Sequence, residues 1–129
     1  MKRILGVDFG TKNVGLALSD ENGDFAYPLL VTKNSPTLLE EIKKIQIENS
    51  IETVVFGDSK NYQGQNNPIM ELVMPFVEKL KIETGINVVF HPEFLTSVQA
   101  EKLQGKNDLT DASAATIMLQ SYLDTIKNK

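Results

Sequence analysis

Three strand-like apolar runs, residues 3–8, 14–19 and 25–32, follow one another at the start of the chain with only short connections. Between the second and third runs lies Glu21-Asn22-Gly23-Asp24. This is a strong hairpin signal, because Asn-Gly accepts the positive φ that a tight turn needs. The three runs are therefore predicted to be antiparallel neighbours in one sheet.

The rest of the chain alternates helical and strand-like patterns. Two further strands are predicted, at 53–56 and 86–90. The first predicted helix begins with Ser35 as its cap and Pro36 in its first turn. Three more helices are predicted over 68–84, over 96–104 and from 108–111 onward. A kink or break is expected at Pro75, because a proline inside a helix costs about 3 kcal/mol. Strands that alternate with helices pair in parallel. The predicted fold is α/β: a five-stranded mixed sheet flanked by helices, in one domain over residues 1–129.

Composition restricts the kinds of site that the chain can build. It has no cysteine and one histidine, so disulfides and Cys-ligated zinc are excluded, and a His-rich metal site or a His-Asp-Ser triad is poorly supplied. The formal net charge of −4 argues against a broad basic surface for nucleic acid, although bound divalent cations could cancel it. No apolar run approaches the ~20 residues of a membrane span, and Asp8 interrupts the first run too early for a signal peptide. A cytoplasmic protein without membrane contact is expected.

Three carboxylates occupy places where α/β sheets collect function. Asp8 ends the first strand, Glu93 follows the last strand, and Asp111 lies in the first turn of the final helix. Without counter-charge these groups would repel and raise one another's pKa. With hard divalent cations they become ligands, since Mg²⁺ prefers oxygen donors. Two ions about 4 Å apart can activate water and stabilise the leaving oxygen in phosphodiester cleavage.

Each of these residues also has a simpler interpretation. Asp8 can be a turn-starting aspartate before Gly, Asp111 can complement the dipole of its helix, and Glu93 can be a solvated loop acid. His91 is either a loop histidine or a group that transfers protons or contacts substrate. Lysines in neighbouring loops are either solvated or phosphate contacts: Lys12, Lys60 and Lys106.

Four segments carry a resemblance to a known family. They are GVDFGTKNVGLALSD, VVFGDSKNYQG with its glycines at 57 and 64 and Asn61, EFLTSVQAEKL, and DASAATIMLQSYLD. In order and spacing they resemble the YqgF/RuvX proteins over nearly the whole chain. Any one segment would be a weak match, whereas the four together are highly specific.

The resemblance implies an RNase H-like fold and a metal-dependent nuclease. The family is linked to maturation of the small-subunit ribosomal RNA precursor, here expected as 5′-end processing of pre-16S rRNA, and by analogy of fold to Holliday-junction resolution. It implies that Asp8, Glu93 and Asp111 are catalytic and bind Mg²⁺ or Mn²⁺, as two ions, and that RNA is preferred over a DNA junction. The substrate contacts expected with it are Gly10, Thr11, Lys12, Lys60, Asn61 and Lys106.

Two departures from the family pattern keep other functions open. Pro92-Glu93-Phe94 stands where the family usually has Asp-Glu and a basic residue, and Gly57-Asp58-Ser59 stands where it has Gly-Leu-Pro. One alternative is a non-catalytic RNA-binding or assembly factor. The other is a phosphate-binding module of the actin-like ATPase or sugar-kinase type, in which Gly10 and Thr11 would approach phosphate. Chain length argues against the latter, because those enzymes close two lobes around a nucleotide.

Overall fold

The computed structural model describes residues 3–10, 12–58, 70–92 and 110–127, with the backbone alone at residues 58, 92, 110–113 and 127. It contains five strands and three helices within these ranges. The strands are β1 (Arg3–Phe9), β2 (Asn13–Ser19), β3 (Ala26–Lys33), β4 (Ile51–Asp58) and β5 (Asn87–Pro92). The helices are α1 (Leu38–Asn49), α2 (Met70–Thr84) and α3 (Thr110–Lys127).

The strands form one mixed sheet in the order β3-β2-β1-β4-β5. β1 pairs antiparallel with β2, and β2 antiparallel with β3. β1 pairs in parallel with β4, and β4 in parallel with β5. The predicted five-stranded mixed sheet with an antiparallel start is therefore confirmed, and β1 lies at its centre.

The turn between β2 and β3 forms for the reason that its sequence suggests. Gly23 has a φ of +72°, which is strained for residues with a side chain. Asp20 closes the turn by accepting the backbone N–H groups of Asp24 and Phe25 at 2.8 and 3.3 Å. A carboxylate that binds two amides in this way fixes the register of the following strand.

The alternation of side chains along β1 divides the core into two layers. Leu5 and Val7 point to one face and pack with the buried residues of α1 and α2. Ile4 points to the other face and belongs to the cluster formed with α3, to which Ala115 and Leu119 contribute. The helices therefore cover both faces of the sheet, and α3 alone of the described helices covers the second face.

The two helix-boundary predictions were only partly right. The first helix begins at Leu38, not at Ser35-Pro36. Ser35 instead forms a turn, with its hydroxyl 3.3 Å from the N–H of Thr37, so its bond is made before the helix begins. Pro75 lies inside α2, which continues through it, so of the predicted kink or break the break does not occur. The helix predicted over 96–104 lies outside the described residues.

No helix within the described ranges is both long and apolar enough to cross a membrane.

Candidate functional site

The carboxyl ends of the three parallel strands form one edge of the sheet. Asp8 is the penultimate residue of β1 and is half-buried. β5 ends at Pro92, so the next residue along the chain is Glu93, which lies outside the described residues. Parallel strands that end at one edge bring the residues at and after their ends into one region.

The register of the sheet gives Asp8 two glycine neighbours. Gly15 is its cross-strand partner in β2. In β4, Phe56 pairs with Val7, so continuing the parallel register by one residue sets Gly57 beside Asp8. Gly57 in turn pairs with His91. Neither neighbour carries a side chain, so the Asp8 carboxylate shares this face with no side chain from the adjacent strands at its own level.

An aromatic cluster supports this edge from the opposite face. Phe76 of α2 lies with its ring centroid 5.3 Å from that of Phe9 and 6.2 Å from that of Phe56. Phe56 and Phe90 also lie 6.2 Å apart. Aromatic contacts of this kind hold β1, β4 and β5 to one another at the ends that lead into the site, which favours a rigid edge.

The contacts of α3 place it over the central strand of the sheet. Gln120 accepts a 2.8 Å hydrogen bond from the N–H of Ala26, at the edge where β1 begins. Leu119 and the carbonyl of Ala115 lie over Gly6, further along β1. These contacts place residues 115–120 of α3 over β1 and the start of β3. Helix position 111 lies four residues, about 6 Å, before Ala115, and Asp8 lies two residues, about 6.6 Å, beyond Gly6. Measured along their own elements, both positions therefore lie within about 7 Å of the contact between α3 and Gly6.

His91 connects the end of β5 to α3. Its Nε2 lies 3.0 Å from the hydroxyl of Ser121, and its ring meets that of Tyr122 edge-on at 5.8 Å. Partial burial lowers the pKa of His91 below its ordinary value of 6.5. The contact joins the strand that leads to Glu93 with the helix that carries Asp111, although it uses neither acid.

The turn between β1 and β2 lies directly beside Asp8. A Cβ at Gly10 would fall 2.4 Å from the carbonyl oxygen of Asn13, so only glycine fits this turn without a shift. Lys12 is exposed. Asn34, which follows β3, donates to the Gly10 carbonyl through its side chain and to the Lys12 carbonyl through its backbone N–H, both at 2.8 Å. No local sequence signal points to Asn34 as part of this edge.

The predicted site residues are therefore described to different extents. Asp8, Gly10 and Lys12 lie at the carboxyl edge, and the backbone of Asp111 lies one helical turn before Ala115, whose carbonyl lies against Gly6. The remaining predicted residues lie outside the described part of the chain: Thr11, Lys60, Asn61, Glu93 and Lys106. Their roles, and those of Asp8 and Asp111, stay predictions.

The chemistry of the predicted ligands fits Mg²⁺ or Mn²⁺. All three are carboxylates, and hard oxygen donors are the ligands that these ions prefer. A partly buried carboxylate such as Asp8 also needs a cation or hydrogen-bond donors nearby. Among the described side chains, which include neither Glu93 nor that of Asp111, no three His, Cys, Asp or Glu groups are placed to hold a metal ion.

Comparison with known proteins identifies relatives over almost the full length. A protein of Desulforudis audaxviator (strain MP104C), named as a candidate pre-16S rRNA nuclease, is 37% identical over 136 aligned positions, covering 98% of this chain and 96% of the relative. One of the same name from Caldanaerobacter subterraneus subsp. tengcongensis is 39% identical over 138 positions, covering 98% and 99%.

A likeness to solved structures supports the fold. RuvC of T. thermophilus, solved in complex with a Holliday junction substrate, superposes with a TM-score of 0.65 at 17% identity, covering 97% of this chain and 96% of that one. The RNase H-like fold implied by the motifs is thereby confirmed. The model of the RuvX family, described as Holliday junction resolvase, matches residues 2–125. With that match and relatives above 30% identity, the chain belongs to the RuvX family.

Proposed function

We propose that this protein is a divalent-metal-dependent nuclease that cleaves phosphodiester bonds in the 5′ region of the pre-16S rRNA. Membership of the RuvX family and relatives named as nucleases indicate a hydrolase that acts on phosphodiester bonds. The structural observation that supports the proposal most is the position of Asp8 at the carboxyl end of the central strand, on which α3, the helix that carries Asp111, packs closely at Gly6. RNA is proposed over DNA because the relatives are named for a ribosomal RNA precursor.

The roles of the residues follow from their chemistry. Asp8, Glu93 and Asp111 would hold Mg²⁺ or Mn²⁺, which when bound supplies an activated water and charge stabilisation at the leaving oxygen. The central position of β1 keeps the Asp8 carboxylate fixed, because its strand is paired on both sides. The exposed ammonium of Lys12, four residues after Asp8, is available to bind a substrate phosphate. Thr11, Lys60, Asn61 and Lys106 are proposed as further substrate contacts.

The test removes each proposed ligand with little change of shape. Asp8→Asn, Glu93→Gln and Asp111→Asn should each lower cleavage of a pre-16S rRNA fragment by orders of magnitude in Mg²⁺ or Mn²⁺. Their thermal unfolding midpoints without metal should equal or exceed that of the wild type, because the loss of one carboxylate relieves like-charge repulsion.

Asp124→Asn is the matched control. Asp124 is an exposed carboxylate on α3 that pairs with Gln120 at 3.2 Å, away from the carboxyl edge. This variant should cleave at the wild-type rate. Near wild-type cleavage by Asp8→Asn, in protein free of contaminating nuclease, would contradict the metal-site assignment.

Resolution of a four-way DNA junction is the second candidate function, favoured by the description of the family model. The same proteins should therefore be assayed on pre-16S rRNA, on unstructured RNA and on a four-way junction. If the wild type cut the junction preferentially and Asp8→Asn did not, the substrate would be the DNA junction and the proposed metal site would stand. RNA binding without cleavage, unaffected by chelation, would favour the non-catalytic assembly factor.

A further inference from the structure

We propose that Asn34 is a positioning residue that holds the β1–β2 turn in the conformation in which it binds a substrate phosphate. The inference rests on the proposed function, because it assigns a substrate contact to that same site. Asn34 lies after β3 and is separated from Gly10 by 24 positions in sequence.

The two hydrogen bonds of Asn34 hold the turn at both of its sides. The side-chain Nδ2 donates to the carbonyl of Gly10 at 2.8 Å. The backbone N–H donates to the carbonyl of Lys12, also at 2.8 Å. One residue therefore binds the carbonyls before and after position 11. A Cβ at position 10 would meet the carbonyl oxygen of Asn13, so the backbone of Asn13 lies directly against Gly10.

These bonds also favour an anion electrostatically. A carbonyl oxygen carries partial negative charge and repels a phosphate, whereas a carbonyl that accepts a hydrogen bond is partly compensated. Asn34 reaches both carbonyls from β3, on the opposite side of β1 from β4 and β5. The oxygens are thus bound on the side away from the strands that complete the carboxyl edge.

Positive charge is available on the β1–β2 turn and at the end of β3 beside it. Lys12 is exposed, and so is Lys33, which pairs with Asn13 and directly precedes Asn34. A flexible lysine binds phosphate weakly, because ordering the chain on binding costs conformational entropy. A turn ordered in advance by Asn34 avoids that cost, so Asn34 should affect substrate affinity more than the chemical step.

The chain offers a matched control in Asn49. Its Nδ2 likewise donates to a backbone carbonyl, that of Ile45, at 3.0 Å, and it is half-buried like Asn34. It lies at the opposite edge of the sheet, where its side-chain oxygen accepts from Arg3 at 3.2 Å. Asn49→Ala therefore removes a bond of the same type without touching the β1–β2 turn.

The experiment compares Asn34→Ala, Asn34→Asp and Asn49→Ala. On a pre-16S rRNA fragment with Mg²⁺, Asn34→Ala should raise KM about fivefold to tenfold, the effect of one lost hydrogen bond, with kcat within twofold of the wild type. Asn34→Asp keeps the shape but cannot donate and adds a negative charge, so it should raise KM further. Asn49→Ala should lose about as much thermal stability as Asn34→Ala but leave KM unchanged.

Binding measured apart from cleavage completes the test. Fluorescence anisotropy with the labelled RNA, in the Asp8→Asn background, should show the same order of affinities. If Asp8→Asn bound RNA and the double variants that add Asn34→Ala or Asn34→Asp bound it equally well, this inference would be overturned while the proposed function would stand. If neither the wild type nor Asp8→Asn bound or cleaved RNA, the proposed function would fail and this inference with it.

Discussion

Replacement of Gly6 by alanine tests whether the position of α3 controls the site. Gly6 lies in the middle of β1, on the face that α3 covers. A Cβ added there would lie 2.9 Å from the Cβ of Leu119, 3.3 Å from its Cδ2 and 3.4 Å from the carbonyl oxygen of Ala115. The Cδ2 atom can rotate away. The Leu119 Cβ and the Ala115 carbonyl cannot, because the helix backbone fixes them.

The size of the effect follows from these distances. Carbon atoms in contact prefer a separation of about 3.5–4.0 Å, so α3 must move away from β1 by roughly 0.6–1 Å. Overpacking of this kind costs about 1–3 kcal/mol in free energy of unfolding. Because Asp111 is one turn before Ala115, the shift reaches the candidate site. Misplacement by about 1 Å can cost 10²-fold in rate, so kcat should fall between tenfold and a hundredfold.

The assay combines urea unfolding with cleavage of the pre-16S rRNA fragment, and Gly23→Ala is the control. Gly23 has a φ of +72° and nothing within 4 Å of an added Cβ, so alanine there destabilises through backbone strain alone. Gly23→Ala should lose about 1 kcal/mol or more and keep its kcat. If Gly6→Ala unfolded within about 0.5 kcal/mol of the wild type, the close approach of α3 would be refuted. If it were destabilised at full kcat, the link between α3 and the site would be refuted.

Two further predictions concern stability. The buried hydroxyl of Ser19 accepts the N–H of Ile4 at 2.8 Å, so Ser19→Ala should lower the free energy of unfolding by about 1–3 kcal/mol at unchanged cleavage rate; an unchanged urea midpoint would contradict this. Burial lowers the pKa of His91, so the folded protein binds that proton less readily than the unfolded chain. The free energy of unfolding should therefore decline as the pH falls through 6.5 towards the folded-state pKa. The decline should be smaller in His91→Gln, and identical pH profiles for the two proteins would count against the assignment.

The sheet was predictable from sequence because its signals are local. The positive φ of Gly23 is a property of a short turn, and the alternation of helices with strands enforces parallel pairing wherever they are joined. Asp8 could be assigned to a strand end for the same reason. The motifs of the RuvX family added the expected equivalents at positions 93 and 111, for which the sequence pattern alone leaves simpler interpretations open.

The features that could not be predicted depend on contacts between distant segments. Asn34 binds Gly10 across the end of the sheet, and no local pattern marks such a partner. The tight approach at Gly6 depends on where α3 crosses β1. The error at Ser35 has a local cause, because its hydroxyl is used in a turn that precedes the helix. At Pro75 the packing of Phe76 against Phe9 and Phe56 favours a helix that continues through the proline.

The two faces of the sheet divide stability from function. On the face covered by α1 and α2, β1 and β4 contribute buried apolar side chains to the core, including Val7 and Phe56. On the face covered by α3, the same strands carry glycine at positions 6 and 57, and Asp8 beside them. Glycine at position 6 lets α3, which carries Asp111, come close to the strand that carries Asp8. The absence of side chains at positions 6 and 57 is therefore as much a part of the candidate site as the carboxylates.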